Sequence, residues 1–390
     1  MTTHRISARL LAYLYALFVL YFAFSMLSPV LPLYLEAVGL SPLLVGAVIG
    51  VLGVVRIPLA PVAGALADVL GRKRVLLAGL ALSAAGTLLL LLKSVALLVA
   101  GRALVGVFGA FLAPVAWALV SEEASERGAR GGVLALANAV ASAASVAAPA
   151  LAGYLASALG FESVISASAL LLLAAAPAAW AVPSRARQQA LREALRGFFS
   201  ALKRAYWCSA VFALEWYMLF SWMMLLPLYA SSLGYGAEVV GLLMALEGLV
   251  YALCQPLVGH LIDKHKSKSA LMLTAALAYG LSLASIPRCR DLSCTALLLV
   301  AAAVASSPIS PVAMARASEA GPGLEASVMG ALFSAGYLGM ALGSAVSGFL
   351  AQASYQLAFA HLAVPGAAIA LLAAGTYLAE AEEQKSRAGA

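Results

Sequence analysis

From Leu10 to Tyr34 the chain reads LLAYLYALFVLYFAFSMLSPVLPLY, without one charged side chain. A helix needs roughly 20 apolar residues to cross the hydrocarbon of a bilayer, and this run is long enough. No water there can satisfy a backbone N–H or C=O, so the segment must close its hydrogen bonds internally as a helix. The run is too long for the apolar part of a cleavable leader and lacks a small-residue cleavage site, so it reads as a retained first span. Further runs give expected spans near 8–35, 42–68, 74–95, 96–121, 131–158, 161–182, 205–232, 237–263, 269–287, 292–317, 326–353 and 356–379. The predicted fold is an all-α membrane protein of twelve transmembrane helices. Composition agrees: 11% of the 390 residues are charged and 64% hydrophobic, whereas a soluble domain carries roughly 25% and about half.

A net charge of +7 raises the question of a nucleic-acid partner, and the placement of the bases answers it. Most fall at Arg5 and Arg9, Arg72 to Arg74, Arg127 and Arg130, Arg185 through Arg204, Lys264 to Lys268, Arg316, and Lys385 with Arg387, while the intervening loops hold only Lys93 and the pair Arg288 and Arg290. The basic segments are alternate loops and the two termini, the positive-inside pattern, which places both termini in the cytoplasm of a multi-pass cell (inner or plasma) membrane protein. No nucleic-acid role is expected. Cys208 and Cys254 fall inside spans as small apolar residues. Cys289 and Cys294 share one outward loop, PRCRDLSC, close enough for a short disulfide if that side is oxidising.

The chain repeats itself. LPLYLEAVG at 31–39 returns as LPLYASSLG at 226–234, an offset of 195 residues (31 to 226). Gly46, Gly53, Pro61, Gly64 and Asp68 return at the same offset as Gly241, Gly248, Pro256, Gly259 and Asp263. PVAWALVSE at 114–122 meets PVAMARASE at 311–319 with a two-residue slip, and GYLA at 153–156 meets GFLA at 348–351 in register again. Six spans per copy is an even number, so both copies enter the membrane in the same direction. The expected organisation is residues 1–182 as one six-helix bundle, 183–204 as a cytoplasmic amphipathic linker on the inner leaflet, and 205–390 as a second, parallel bundle. A parallel repeat with its ligand site between halves near the midplane is a transporter architecture.

The loop GALADVLGRKR, residues 64–74, its echo after span 8 and the six-plus-six repeat resemble the major facilitator superfamily over essentially the whole chain. Within the loop, Arg72 lies one helical turn after Asp68 and can pair with it, while Gly64 and Gly71 permit close approach and a tight turn. The resemblance implies a gating latch that closes the halves through the start of span 11 and an acid ending span 4, which Glu122 matches. Its second copy is Gly259, Asp263 and Lys264; Val69 stands where the family usually carries a base. The plainer reading is charge that sets topology. RALVGVFGA at 102–110 and APALAG at 148–153 resemble motifs of the 12-span drug:proton antiporters in this superfamily. Val105 replaces the usual polar residue of the first motif, and Ala148 and Ala152 replace glycines of the second. Pro149 and Gly153 fit, and they also suit plain helix packing.

Four ionisable residues lie well inside spans: Arg56 and Arg102 in the first half, Glu215 and Glu247 in the second. Each costs roughly 2.5–3.5 kcal/mol at a helix centre, so each is expected to face a cavity or a partner. Tyr21 and Ser25 on span 1, Asn138 on span 5, Trp216 and Tyr217 on span 7, and Tyr251 with Gln255 on span 8 complete the candidate proton and substrate site. A carboxyl group in a low-dielectric cavity can load and release a proton near neutral pH; the resemblance also implicates Arg102 in coupling. Left open is a static or gating salt bridge between the arginines and the glutamates.

The leading expectation is proton-coupled efflux of small lipophilic or cationic compounds by alternating access. The alternative is a proton-coupled symporter of organic anions, with the arginines clamping a carboxylate or phosphate, or a membrane sensor without flux. No H-E-x-x-H, G-x-S-x-G or ATP-binding loop appears, and the histidines are scattered. Neither enzyme chemistry, a cofactor nor a metal is expected. The expected partners are a small molecule, protons and lipid, and the expected state is a monomer.

Overall fold

The computed structural model describes residues 7–126, 130–182, 191–264, 268–289, 291–320 and 325–389, all helical apart from turns. The first bundle comprises α1 (Ala8–Ala37), α2 (Pro42–Arg56), α3 (Ala63–Leu70), α4 (Arg72–Leu89), α5 (Val95–Glu126), α6 (Arg130–Leu159) and α7 (Phe161–Ala174). After α8 (Leu191–Arg204) come α9 (Tyr206–Ser232), α10 (Ala237–Lys264), α11 (Lys268–Ser285), α12 (Leu292–Ser306), α13 (Ile309–Ala320), α14 (Glu325–Ala353), α15 (Tyr355–Ala360) and α16 (Ala363–Gly389). Among the described residues eleven helical segments are long and apolar enough to cross a membrane, and Pro42–Arg56 is a shorter apolar helix. Eleven of the twelve expected spans are thus present at spanning length, and the second is represented by the shorter helix; the second, tenth and twelfth are divided. The repeat is visible in the turns. Gly39 and Gly234, equivalent positions, hold φ of 97° and 84°, a region glycine enters without steric cost.

The second span was expected unbroken over 42–68; it breaks between α2 and α3. Pro58 and Pro61 both fall there, and proline lacks the N–H that would bond four residues back. Pro61 therefore frees the Ile57 carbonyl, which accepts from Ser334 Oγ of α14 at 3.0 Å. The second copy keeps Pro256 but has Leu253 in place of Pro58, and α10 runs continuously through it. The tenth span, expected over 292–317, divides at Pro308 for the same reason. Ser307 Oγ donates to the Val304 carbonyl at 2.7 Å, and Gln255 Nε2 reaches the Ser307 carbonyl, freed by Pro311, at 3.4 Å. The sixth span ends in a 3-10 turn over Ala176–Ala181 containing Pro177, and the twelfth divides around His361, with Pro365 in the first turn of α16.

Within the bundles α1 packs on α6 as α9 packs on α14, and α4 on α7 as α11 on α16. Between them run two seams, α2 against α14 and α6 against α10. A Cβ at Gly46 would strike the Ser344 carbonyl and lie 3.2 Å from Gly348 Cα. At the equivalent Gly241 it would strike the Pro149 carbonyl and lie 3.0 Å from Gly153 Cα. The seams are one contact made twice, with partner residues also related by 195 positions (149 to 344, 153 to 348). Lipid offers no hydrophobic drive for helices to associate, so close approach of small residues supplies the adhesion through dispersion.

The linker helix α8 rests on α14 through Gly197, which meets Ser327, and buries Ala201. Phe199 points away and is exposed. Residues 183–190 of the expected linker lie outside the described residues.

Candidate substrate site between the bundles

Arg56 ends α2 at the proline break, where the chain leaves helical register beside the α2–α14 seam. Its Nε donates to the Gly106 carbonyl of α5 at 3.3 Å, and its guanidinium lies 5.5 Å from the centre of the Tyr337 ring of α14. Gly109 makes room for it: a Cβ there would lie 2.6 Å from Arg56 Nη2 and 3.4 Å from Phe24 Cζ. The group is half-buried. Among the described residues no carboxylate pairs with it. Arg102, one turn before Gly106 on α5, is buried, carries an Nε without a hydrogen-bond partner, and interacts electrostatically with Arg56.

Around Arg56 the seam is aromatic. Trp216 of α9 meets Tyr337 edge-on at 5.4 Å, Phe220 at 5.7 Å and Phe333 at 5.9 Å. Trp216, Phe220 and Tyr337, with Phe24 of α1, pack on buried Leu52, Val105 and Met340. Tyr21, on the same side, accepts from Trp117 Nε1 at 3.0 Å.

The carboxyl groups lie elsewhere. Glu215 is one residue from Trp216 but turns into the second bundle, buried, where Ser310 Oγ of α13 donates to it. Tyr251 and Tyr279 lie within electrostatic reach of both Glu215 and Glu247. Among the described residues no ion pair joins Arg56 or Arg102 to either glutamate. The expected single site is therefore two clusters: cations and rings at the seam, acids and hydroxyls within the second bundle. Tyr217 joins neither and pairs through its hydroxyl with His361 Nε2 at 3.0 Å. Ser25 is half-buried, its carbonyl accepting from Ser28 Oγ at 2.7 Å, and Asn138 is exposed.

At the basic-loop end, Arg72 Nε donates to Asp68 Oδ1 at 2.6 Å and Nη1 to Glu122 Oε1 at 2.8 Å. Gly71 makes the turn with φ of 90°. Gly64 and Gly259, expected to permit close approach, face open space, with nothing within 4 Å of a built Cβ. In the second bundle Lys268 Nζ donates to Glu319 Oε1 at 2.8 Å, a base one position along from the equivalent of Arg72. The side chains of Asp263 and Lys264 lie outside the described residues.

The sequence profile of the Major Facilitator Superfamily matches residues 13–239 and 208–390. The chain belongs to this superfamily. Its members are transport proteins, so this chain is a multi-pass secondary transporter of a small molecule and not an enzyme. No curated protein matches by sequence. Among solved structures, the human organic anion transporter MFSD10 (TETRAN) superposes with a TM-score of 0.68 at 21% identity, over 93% of this chain and 98% of that one. The nucleoside transporter NupG, in a substituted form, gives 0.78 at 15% identity over 94% and 99%. These likenesses are of fold. Neither relative is described as a drug:proton antiporter.

Sequence reading missed Phe24 and Tyr337 at this transporter's seam, Phe333 against Trp216, and Ser310 beside Glu215. The rings sit in uniformly apolar spans with no polar contrast to mark them. Ser310 carried a signal, since it lies between Pro308 and Pro311, where broken helices expose polar groups to a neighbour.

Proposed function

We propose that the chain carries small organic anions across the membrane by alternating access, with Arg56 as the charge that receives the anion. The supporting observation is a half-buried guanidinium at the seam, without a carboxylate among the described residues and with Arg102 behind it. A ligand carboxylate, sulfonate or phosphate supplies the missing partner through charge-assisted, bidentate hydrogen bonds. That one solved relative is described as an organic anion transporter agrees with this reading. Export of lipophilic or cationic compounds is supported less: a cation at the seam meets Arg56, and the acids face away.

Glu215, bonded by Ser310 beside Trp216, is the proposed proton site, with Glu247 second. Its protonation changes the charge of the helix that carries the aromatic wall, which links proton and cargo. Residues 1–182 and 205–390 are the proposed rocking units and 183–204 their cytoplasmic tether, within one monomer. The disulfide between Cys289 and Cys294 supports an outward, oxidising location for that loop and hence cytoplasmic termini. The α6–α10 seam loosens away from that side. It is tight at Gly241, whereas a Cβ at Gly248 would find only Val146 Cγ2, at 3.6 Å.

The test is flux in proteoliposomes under an imposed proton gradient, comparing organic sulfonates and phosphonates with tetraphenylphosphonium. Anions are expected to move, and Arg56→Gln to lower their kcat/KM by about tenfold to a hundredfold, the worth of a charged hydrogen bond. Movement of the cation alone, or an unaffected Arg56→Gln, overturns the proposal; absence of any flux favours a sensor.

A further inference from the structure

Resting on the anion reading above, we infer that the preferred cargo is a flat aromatic monoanion with few other polar groups. Arg56 does not sit in a polar pocket. Its guanidinium lies over one ring, Tyr337, which is itself edge-on to Trp216 at 82°, with Phe220 tilted beyond. Phe24, Trp216, Phe220 and Tyr337 are all half-buried, so each keeps some accessible surface, and all four pack on the same buried residues, Leu52, Val105 and Met340. Opposite them, the glycines of α5 leave only backbone beside the charge: Gly106 offers its carbonyl, and Gly109 the space into which Nη2 fits.

This geometry selects among anions. A ligand whose charge meets Arg56 places its body against the rings, and an aromatic body gains edge-to-face or offset contact where an aliphatic chain gains only buried area. A sugar-like or nucleoside-like body brings hydroxyls that need partners. Beside the charge the Tyr21 hydroxyl accepts from Trp117 and the Gly106 carbonyl from Arg56, which leaves the Tyr21 O–H and Arg102 Nε as donors and few acceptors for a polyhydroxylated body. Unpaired hydroxyls in such a place cost binding. A neutral ring leaves Arg56 unpaired, and a cationic one is repelled by it.

The experiment titrates the purified full-length protein with naphthalene-2-sulfonate, cyclohexanesulfonate and hexane-1-sulfonate, all permanently charged, and reads binding by calorimetry. Naphthalene-2-sulfonate is expected to bind about tenfold tighter than hexane-1-sulfonate, as two ring contacts imply. Trp216→Leu is expected to lower naphthalenesulfonate affinity about fivefold more than hexanesulfonate affinity, with Phe220→Leu as the second variant. A merely structural role for these rings would weaken all three ligands alike. Equal affinities of the three sulfonates overturn the aromatic preference and leave the anion reading standing. No saturable binding of any sulfonate overturns the anion reading itself. An aromatic preference that survives in both variants overturns the placement of the ligand's ring against this wall.

Discussion

Gly53 offers a quantitative test of the α2–α14 seam. A Cβ there would lie 2.6 Å from the Tyr337 carbonyl oxygen, 3.0 Å from Ala341 N and 3.1 Å from Ala341 Cβ. Comfortable contact begins at about 3.5 Å, so Gly53→Ala forces α2 and α14 apart by roughly 0.9 Å. The nearest obstacles are backbone atoms, and no rotamer change relieves them. A gap of that size forfeits about a quarter to a half of each dispersion contact along the seam. Overpacking of this kind costs about 1–3 kcal/mol, offset by up to about 1 kcal/mol from alanine's better helix propensity. The equivalent substitution in the second copy is the control. At Gly248 a Cβ meets only Val146 Cγ2 at 3.6 Å, so Gly248→Ala keeps the propensity gain without the clash. In thermal unfolding of the detergent-solubilised protein, Gly53→Ala is expected to melt lower by about 1 °C per kcal/mol lost, the conversion for a chain of this length. Gly248→Ala is expected to match or exceed wild type. Equal shifts for the two alanines, or an unperturbed Gly53→Ala, would refute the claim that repeat-equivalent glycines serve seams of different tightness.

Two further outcomes are expected. Ser334→Ala leaves the Ile57 carbonyl without its partner at a cost of about 1–3 kcal/mol, and adding Pro61→Ala, which restores an N–H four residues on, should recover most of the lost melting temperature; no recovery would mean that the hydroxyl acts otherwise. At the basic-loop end, Asp68→Asn should destabilise by about 1.5–3 kcal/mol, because its bond to Arg72 is largely shielded. Glu122→Gln should cost less than about 1 kcal/mol and lose its effect in high salt, because that carboxylate is half exposed; the reverse order would show that the ion pair is read wrongly.

The spans and the repeat were legible because bilayer physics leaves few alternatives: uncharged runs must be helices, and an offset shared by Gly39 with Gly234, Gly46 with Gly241 and Pro61 with Pro256 fixes equivalent positions. The break after Arg56 was legible in principle. Pro58 and Pro61 stand three residues apart, but the apolar run passes over them without a change in hydropathy. Which way Glu215 and Trp216 face was not legible. A helix apolar on every side has no hydrophobic stripe to orient it, so neighbours in sequence that serve different clusters look like one site. Tyr217 shows the same limit: its partner, His361, lies in the twelfth span, and no spacing on α9 announces it. The pairing of Arg72 with Asp68, four residues away on the same stretch, was readable because its geometry is local.

The Ser334–Ile57 bond ties the two halves at the place where the second span has lost its own continuity. Only one of the duplicated junctions has acquired this strap, since the residue equivalent to Ser334 in the first half is Ala139 and α10 runs unbroken. The internal repeat thus holds two matching joints, of which one carries this extra bond. Under the proposed rocking of the halves, displacement is expected to concentrate at the unstrapped joint, like a door on one jamb, rather than evenly along both.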